Sequence, residues 1–195
     1  PIHSNVGIDI HIRPEEKRTY MLTADVSRGT ANDYSAFVVF DVTEIPYKIV
    51  AKFRDNEIKP LLFPTKIHEV AKAYNNAYVM VEVNDIGEQV ANTLQFDSNL
   101  KQLIEDNKLI VEDYDCINEL STFISRGPSY AADDGCNDDL VACMFMFSWA
   151  TDQTYFKELT DNDIRMTMMK EQQDMLEQDM APFGFIVNGV DDPFE

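Results

Sequence analysis

Residues 19–43, "TYMLTADVSRGTANDYSAFVVFDVT", decide how this chain is read. Two runs rich in β-branched and aromatic residues, "TYMLTADV" and "SAFVVFDVT", are separated by a stretch of Gly, Asn and Asp, which predicts two strands joined by a turn. A third such run, "YKIVAKFRD", follows Pro46. Three consecutive strands with short connections predict an antiparallel meander. The first run ends on a carboxylate, Asp25, beside a loop of small residues that would let a ligand approach the backbone.

Beyond the meander the period changes. "FPTKIHEVAKAYNN" places Ile67, Val70, Ala71 and Tyr74 at helical spacing, with Pro64 at the start. "AYVMVEVN" reads as a strand, "IGEQVANTLQF" and "NLKQLIEDN" as helices, and "KLIVED" as a short strand. "INELSTFIS" reads as a helix, and "DDLVACMFMFSWATDQ", after Gly135, as a strongly apolar one. The order β-β-β-α-β-α-β-α-α predicts an α/β fold, a mixed sheet in which the meander continues into parallel strands and helices cover the faces.

The expected organisation is one domain over residues 1–195. It has a patternless lead-in over 1–18, a core over 19–150 and an acidic helical extension over 151–195. The extension carries eleven Asp or Glu against Lys157, Arg165 and Lys170, and its "NDIRMTMMKEQQDMLEQ" sets Ile164, Met168 and Met175 on one side of an amphipathic helix. Such a Met-rich stripe is more often packing than a partner groove.

A 195-residue chain that is 45% hydrophobic and 11% aromatic can bury a sizeable core. No run approaches the ~20 apolar residues of a membrane span, and "PIHSNVGIDIHIRPEEKR" lacks the basic-then-apolar order of a signal peptide, so a soluble intracellular protein is expected. Cys116, Cys136 and Cys143 are odd in number and show no CxxC spacing, which suggests neither a disulfide framework nor a zinc site. The formal charge of −19 argues against strong intrinsic affinity for DNA, because nonspecific binding relies on Lys and Arg displacing counterions.

Most of the 35 acidic residues are surface, but three positions differ. Glu82 lies inside "YVMVEVND", whose Val and Met neighbours predict a strand buried on both faces, where a lone carboxylate is costly unless paired or bound to a cation. Asp25 ends the first core strand. The pair Asp138 and Asp139 opens the apolar helix, where Asp is also ordinary capping chemistry. The ends of these elements can converge on one edge of a mixed sheet. Clustered carboxylates repel and titrate upward unless a divalent cation neutralises them. With no His or Cys at ligand spacing the donors are all oxygen, which favours Mg²⁺ or Mn²⁺ and phosphodiester hydrolysis, most simply with two ions about 4 Å apart.

At this point the chain resembles a known family. "TADVSRGTANDYSAFVVFDVT", "VMVEVNDIGEQVANTL", "LIEDNKLIV" and "SYAADDGCNDDLVACMFMFSW" look like the nuclease domain of the large terminase subunit of tailed bacteriophages, of the T-even type. The resemblance implies an RNase H-like fold and metal-dependent endonucleolytic cutting of double-stranded, concatemeric DNA during headful packaging in the host cytoplasm. It implies that Asp25, Glu82 and Asp139 are the catalytic metal ligands, with Asp138 as rival for the third place. Asp33 matches an acid near the site that supports it or acts through water, and Ser27 and Arg28 are candidates for contacting phosphate. The implied partners are the terminase ATPase domain, the portal and the small terminase subunit.

Two departures stand out. Nothing in the sequence resembles a Walker A loop, so the ATPase motor of the full family protein is not expected here. Between Phe96 and Leu100, "QFDSNLKQ" joins directly where the family usually has another strand and a basic, Lys-containing loop, so either the loop is naturally short or a segment is left out, the second being favoured. Two other readings compete: another RNase H-like nuclease such as a resolvase or transposase core, and a non-catalytic acidic module binding Ca²⁺ or a partner. An exposed Glu82 favours the module; a Glu82 converging on Asp25 and Asp139 favours the nuclease.

Overall fold

The computed structural model describes residues 1–5, 7–26, 34–82, 94–126, 129–133, 135–158 and 160. The strands are β1 (His3–Asn5), β2 (Ile8–Ile10), β3 (Tyr20–Asp25), β4 (Ser35–Asp41), β5 (Tyr47–Asp55), β6 (Tyr78–Val81), β7 (Leu109–Ile110), β8 (Phe123–Arg126) and β9 (Ser129–Ala132). The helices are α1 (Phe63–Ala73), α2 (Leu94–Glu105), α3 (Tyr114–Thr122) and α4 (Asp139–Asp152). β3, β4 and β5 form the expected antiparallel meander, β6 runs parallel to β3, and the main sheet has the order β1-β2-β5-β4-β3-β6.

Alternation along the strands sends side chains to two cores, one on each face of the sheet. Tyr20, Leu22, Ala24, Phe37, Val39 and Phe53 pack against α1 through Phe63, Ile67, Val70 and Ala71. Met21, Ala36, Val38 and Phe40 pack on the other face against α4 through Leu140, Val141, Cys143, Met144 and Phe147. α1 begins with Pro64 in its first turn, where a missing N–H costs nothing, and gives way to Asn75 and Asn76 at φ of 55° and 59°. α4 is apolar nearly all round and is the central buried element of its face; the Phe147 ring stacks on Phe40 at 3.9 Å.

The structure corrects the sequence reading in three places. The lead-in is not patternless: β1 and β2 form a hairpin through Gly7, at φ 76°, and β2 pairs with β5, because Ile8 and Ile10 alternate toward the core under α1. β6 is not buried on both faces. Among the described residues it is the outermost strand on its side of the sheet, and Val79 and Val81 remain 47% and 39% exposed. β7 pairs in parallel with the start of β5. The helix expected over "INELSTFIS" stops at Thr122, and the aromatic and β-branched residues after it form β8, paired with β9. α2 runs from Leu94 to Glu105, and Leu100 is buried in the core. The residues of "IGEQVAN" and of the C-terminal amphipathic helix lie outside the described residues.

Ion pairs as well as apolar contacts hold α3 on the sheet. Lys52, 4% exposed in the middle of β5, donates to Asp113 at 2.7 Å and to Asp115, and Arg54, two residues on and therefore on the same face, donates to Glu119 at 2.5 Å. Asp113 also caps α3 by accepting from the Cys116 N–H at 2.9 Å.

The ring cluster of Phe147 with Phe40, Tyr47 and Phe156 supplies a stability test. Phe147→Ala is expected to cost about 3–5 kcal/mol in urea unfolding, the range for emptying an aromatic site in a packed core. A cost below about 1 kcal/mol would mean that α4 is not seated as described.

Candidate metal centre

β3 and β6 run in parallel with Ala24 opposite Val81, and the Glu82 N–H donates to the Ala24 carbonyl at 3.0 Å. That register places Asp25 and Glu82 side by side, one step beyond the last pair, at the C-terminal ends of two parallel strands. By alternation both belong with Met21, Thr23 and Met80 on the α4 face. α4 is fixed over this end by two polar contacts: the buried Thr23 hydroxyl donates to the Cys143 carbonyl at 2.9 Å, and the Cys143 thiol lies 3.7 Å from the Ala36 carbonyl. Asp139 is one turn before Cys143 on the same helical face, which carries it toward Asp25.

The electrostatics report the same convergence. Burial, then Glu82, Asp139 and Asp138 in turn, push the Asp25 carboxyl up to about 7. Burial, then Glu119 and Asp138, push Asp139 up to about 7, and Arg54 offsets this only as the last of the influences on it. Asp25 thus lies within electrostatic reach of Glu82, Asp139 and Asp138. Glu82 is half-buried rather than enclosed. Among the described residues no group of three His, Cys, Asp or Glu is drawn tightly enough to hold an ion unaided. The arrangement is an open cluster of carboxyls rather than a closed cage. An all-oxygen cluster with buried, like-charged carboxyls fits a small hard cation that keeps water or substrate oxygens among its ligands. Ser27, Arg28 and Asp33 lie outside the described residues.

Neither aspartate at the start of α4 takes the Leu140 or Val141 N–H, and Asp139 accepts only from its own N–H. Asp138 stands at the cap position without a side-chain cap bond and only meets the Ala132 N–H at 3.4 Å. The cap comes from another helix: Glu119 Oε2 accepts from the Leu140 and Val141 N–H groups at 2.8 and 3.2 Å, while its Oε1 accepts from Arg54. The Arg54 guanidinium also lies 5.1 Å from the centre of the Tyr34 ring. Sequence reasoning missed Glu119 and Arg54. Their signals were a polar residue three positions after Cys116 on an inward helical face, and a charged residue alternating with Lys52 in a strand otherwise bound for the core. Cys143, beside Asp25, is fully buried with its thiol pushed well above the usual range by burial, so it is inert as a nucleophile.

A pH dependence follows. Asp25 and Asp139 in the fold, near 7, stand above the ordinary 3.8, so without metal the folded chain binds more protons than the unfolded chain between about pH 4 and 7. Stability from these groups is present at low pH and is lost as pH rises through that window. Asp25→Asn is expected to recover on the order of 2 kcal/mol relative to wild type at pH 7.5 in EDTA, and nothing at pH 4. Parallel urea curves for both proteins across the window would contradict this.

Comparison with known proteins supports the fold. Residues 22–101 match the family model of the Terminase RNaseH-like domain. The large terminase nuclease from thermophilic phage G20c is similar at 19% identity over 73% of this chain and 88% of that chain, with a TM-score of 0.60. Its magnesium-bound form is similar at 20% identity over 75% and 89%, also at 0.60. The nuclease domain of the Thermus phage P74-26 large terminase is similar at 20% identity over 73% and 84%, at 0.57. The T-even type in particular rests on the sequence motifs alone. Over residues 22–101 the chain matches the Terminase RNaseH-like domain family, and its mixed sheet has the RNase H-like fold of the large terminase nucleases.

Proposed function

We propose that this chain is a metal-dependent endonuclease that cuts double-stranded, concatemeric viral DNA during headful genome packaging. What supports the reading is the parallel register that sets Asp25 beside Glu82 at the ends of β3 and β6, with Asp139 and Asp138 among the charges acting on Asp25. It is supported by the family match and by the G20c nuclease, which has been solved with magnesium, cobalt and zinc bound.

In this reading Asp25, Glu82 and Asp139 hold Mg²⁺ or Mn²⁺, two ions in all, and Asp138 stands beside them as an alternative third ligand. When bound, the cations supply Lewis-acid stabilisation of the scissile phosphate and a water of lowered pKa. The chain's own contribution is to present carboxylates in a fixed frame. Thr23 and the Cys143 carbonyl lock α4 to β3, so that Asp139 and Asp25 cannot swing apart without breaking a buried hydrogen bond. No protein nucleophile takes part, in keeping with the inert Cys143. Asp33 supports the site through water, and Ser27 and Arg28, after Asp25, contact the phosphate backbone.

The charge of −19 then becomes part of the function. A nuclease carried beside a packaging motor acts at the high effective concentration of a tethered ligand and needs little affinity of its own. Weak binding restricts cutting to the start and end of packaging and spares the DNA in transit. The ATPase domain, the portal and the small terminase subunit are the partners in this scheme. Alternation places Glu82 on the same face as Asp25, which favours the nuclease over a non-catalytic acidic module.

The test is plasmid cleavage by the 195-residue chain. Cutting is expected with Mg²⁺ or Mn²⁺ and absent in EDTA, with each of Asp25→Asn, Glu82→Gln and Asp139→Asn reducing it at least about 100-fold while the circular dichroism spectrum is unchanged. Cleavage that survives all three substitutions would place the active site elsewhere.

A further inference from the structure

We infer that Glu119 is the positioning residue of the site: it caps α4 from the neighbouring helix α3, and so keeps the Asp138 and Asp139 carboxyls off the Leu140 and Val141 N–H groups, Asp139 accepting from its own N–H alone. Leu140 and Val141 are the second and third residues of α4, and theirs are the N–H groups that an N-cap side chain ordinarily takes. Asp is among the best residues for that task, and the chain offers two in succession. Yet both N–H groups point to Glu119 Oε2, a residue 2% exposed and about twenty positions away in the chain.

Glu119 is held from its other side. Its second oxygen accepts from Arg54 on β5, and Arg54 in turn rests against Tyr34, the residue before β4. A chain of polar contacts thus runs from the sheet through Arg54 and Glu119 to the first turn of α4. Remove the cap and the helix start would have two unbonded N–H groups in a buried place, a cost that the adjacent carboxyls of Asp138 and Asp139 can relieve by turning back onto them. A carboxyl engaged in that way no longer faces Asp25. Burying a charged Glu and Arg pair is poor value as stability alone, because well-packed apolar residues often do as well. The pair makes sense as a device that keeps local capping residues available for another task. The consequence for metal rests on the proposed role of Asp139, whereas the cap itself does not.

Two double variants separate the cap from the ion pair. Glu119→Gln with Arg54→Met removes both charges but keeps an oxygen for the Leu140 and Val141 N–H groups. Glu119→Leu with Arg54→Met removes the charges and the cap together. Amide hydrogen exchange at Leu140 and Val141, and Mg²⁺ binding by calorimetry, are read on both and on wild type. The Gln variant is expected to keep both amides protected and to bind Mg²⁺ within about threefold of wild type. In the Leu variant exchange at these amides changes at least about tenfold and Mg²⁺ binding weakens at least about tenfold, the scale at which residues that orient metal ligands act. Asp138→Ala is expected to leave the exchange of Leu140 unchanged. The inference is overturned if the two double variants behave alike, or if Asp138→Ala deprotects the helix start. If wild type binds no Mg²⁺, the proposed function fails, and amide exchange alone still decides whether Glu119 is the cap.

Discussion

Like charges do not gather in a protein interior unless the fold compels them. Here the compulsion is the parallel pairing of β3 with β6, in a register that ends both strands at the same level. Asp25 and Glu82 arrive together because the backbone ladder leaves them no choice, and α4, seated on Thr23 and Ala36, brings Asp139 to the same place. Burial and then repulsion from Glu82, Asp139 and Asp138 raise Asp25 to about 7, and burial with Glu119 and Asp138 raises Asp139 to about 7. Structural ion pairs elsewhere in the chain look different. Lys52 meets Asp113 and Asp115, and Arg54 meets Glu119, so each buried cation has its anion. The contrast sets the carboxyl cluster apart, since it concentrates charge of one sign where the rest of the interior balances it.

The surrounding structure maintains that frame. The two faces of the sheet have separate cores, α1 closing one and α4 the other, so the end of β3 is fixed from both sides. α3 is not a passive cover: its acidic residues reach Lys52 and Arg54 in β5, and through Glu119 it reaches the start of α4. The small hairpin β8–β9 touches the same region through the Ala132 N–H and Asp138.

Much of this was legible in the sequence, and the misses have physical reasons. The meander follows from the β-branched and aromatic runs "TYMLTADV" and "SAFVVFDVT", α1 from the helical spacing in "FPTKIHEVAKAYNN", and α4 from the long apolar run "DDLVACMFMFSW". Asp25 stood out because it ends an apolar run. Glu82 was singled out on a mistaken premise: among the described residues β6 is the outermost strand on its side, with exposed Val79 and Val81, and only the parallel register explains its importance. Hydrophobic pattern alone does not distinguish a central strand from an edge strand. β1 and β2 escaped because three-residue strands leave a pattern too short to read, although Ile8 and Ile10 alternate. Glu119 and Arg54 were invisible for a different reason. Their partners are 21 and 65 positions away, and a local sequence pattern does not encode which long-range carboxylate caps a helix.

The account depends on Asp25, Glu82 and Asp139 sharing one divalent cation site. The most direct measurement is anomalous diffraction from a crystal of this chain grown with Mn²⁺. The account predicts anomalous density at the C-terminal ends of β3 and β6, about 2.1 Å from carboxylate oxygens of Asp25, Glu82 and Asp139, the distance expected of a small hard cation. Density elsewhere on the surface, or none at saturating Mn²⁺ with the three carboxyls arranged as described here, would contradict it.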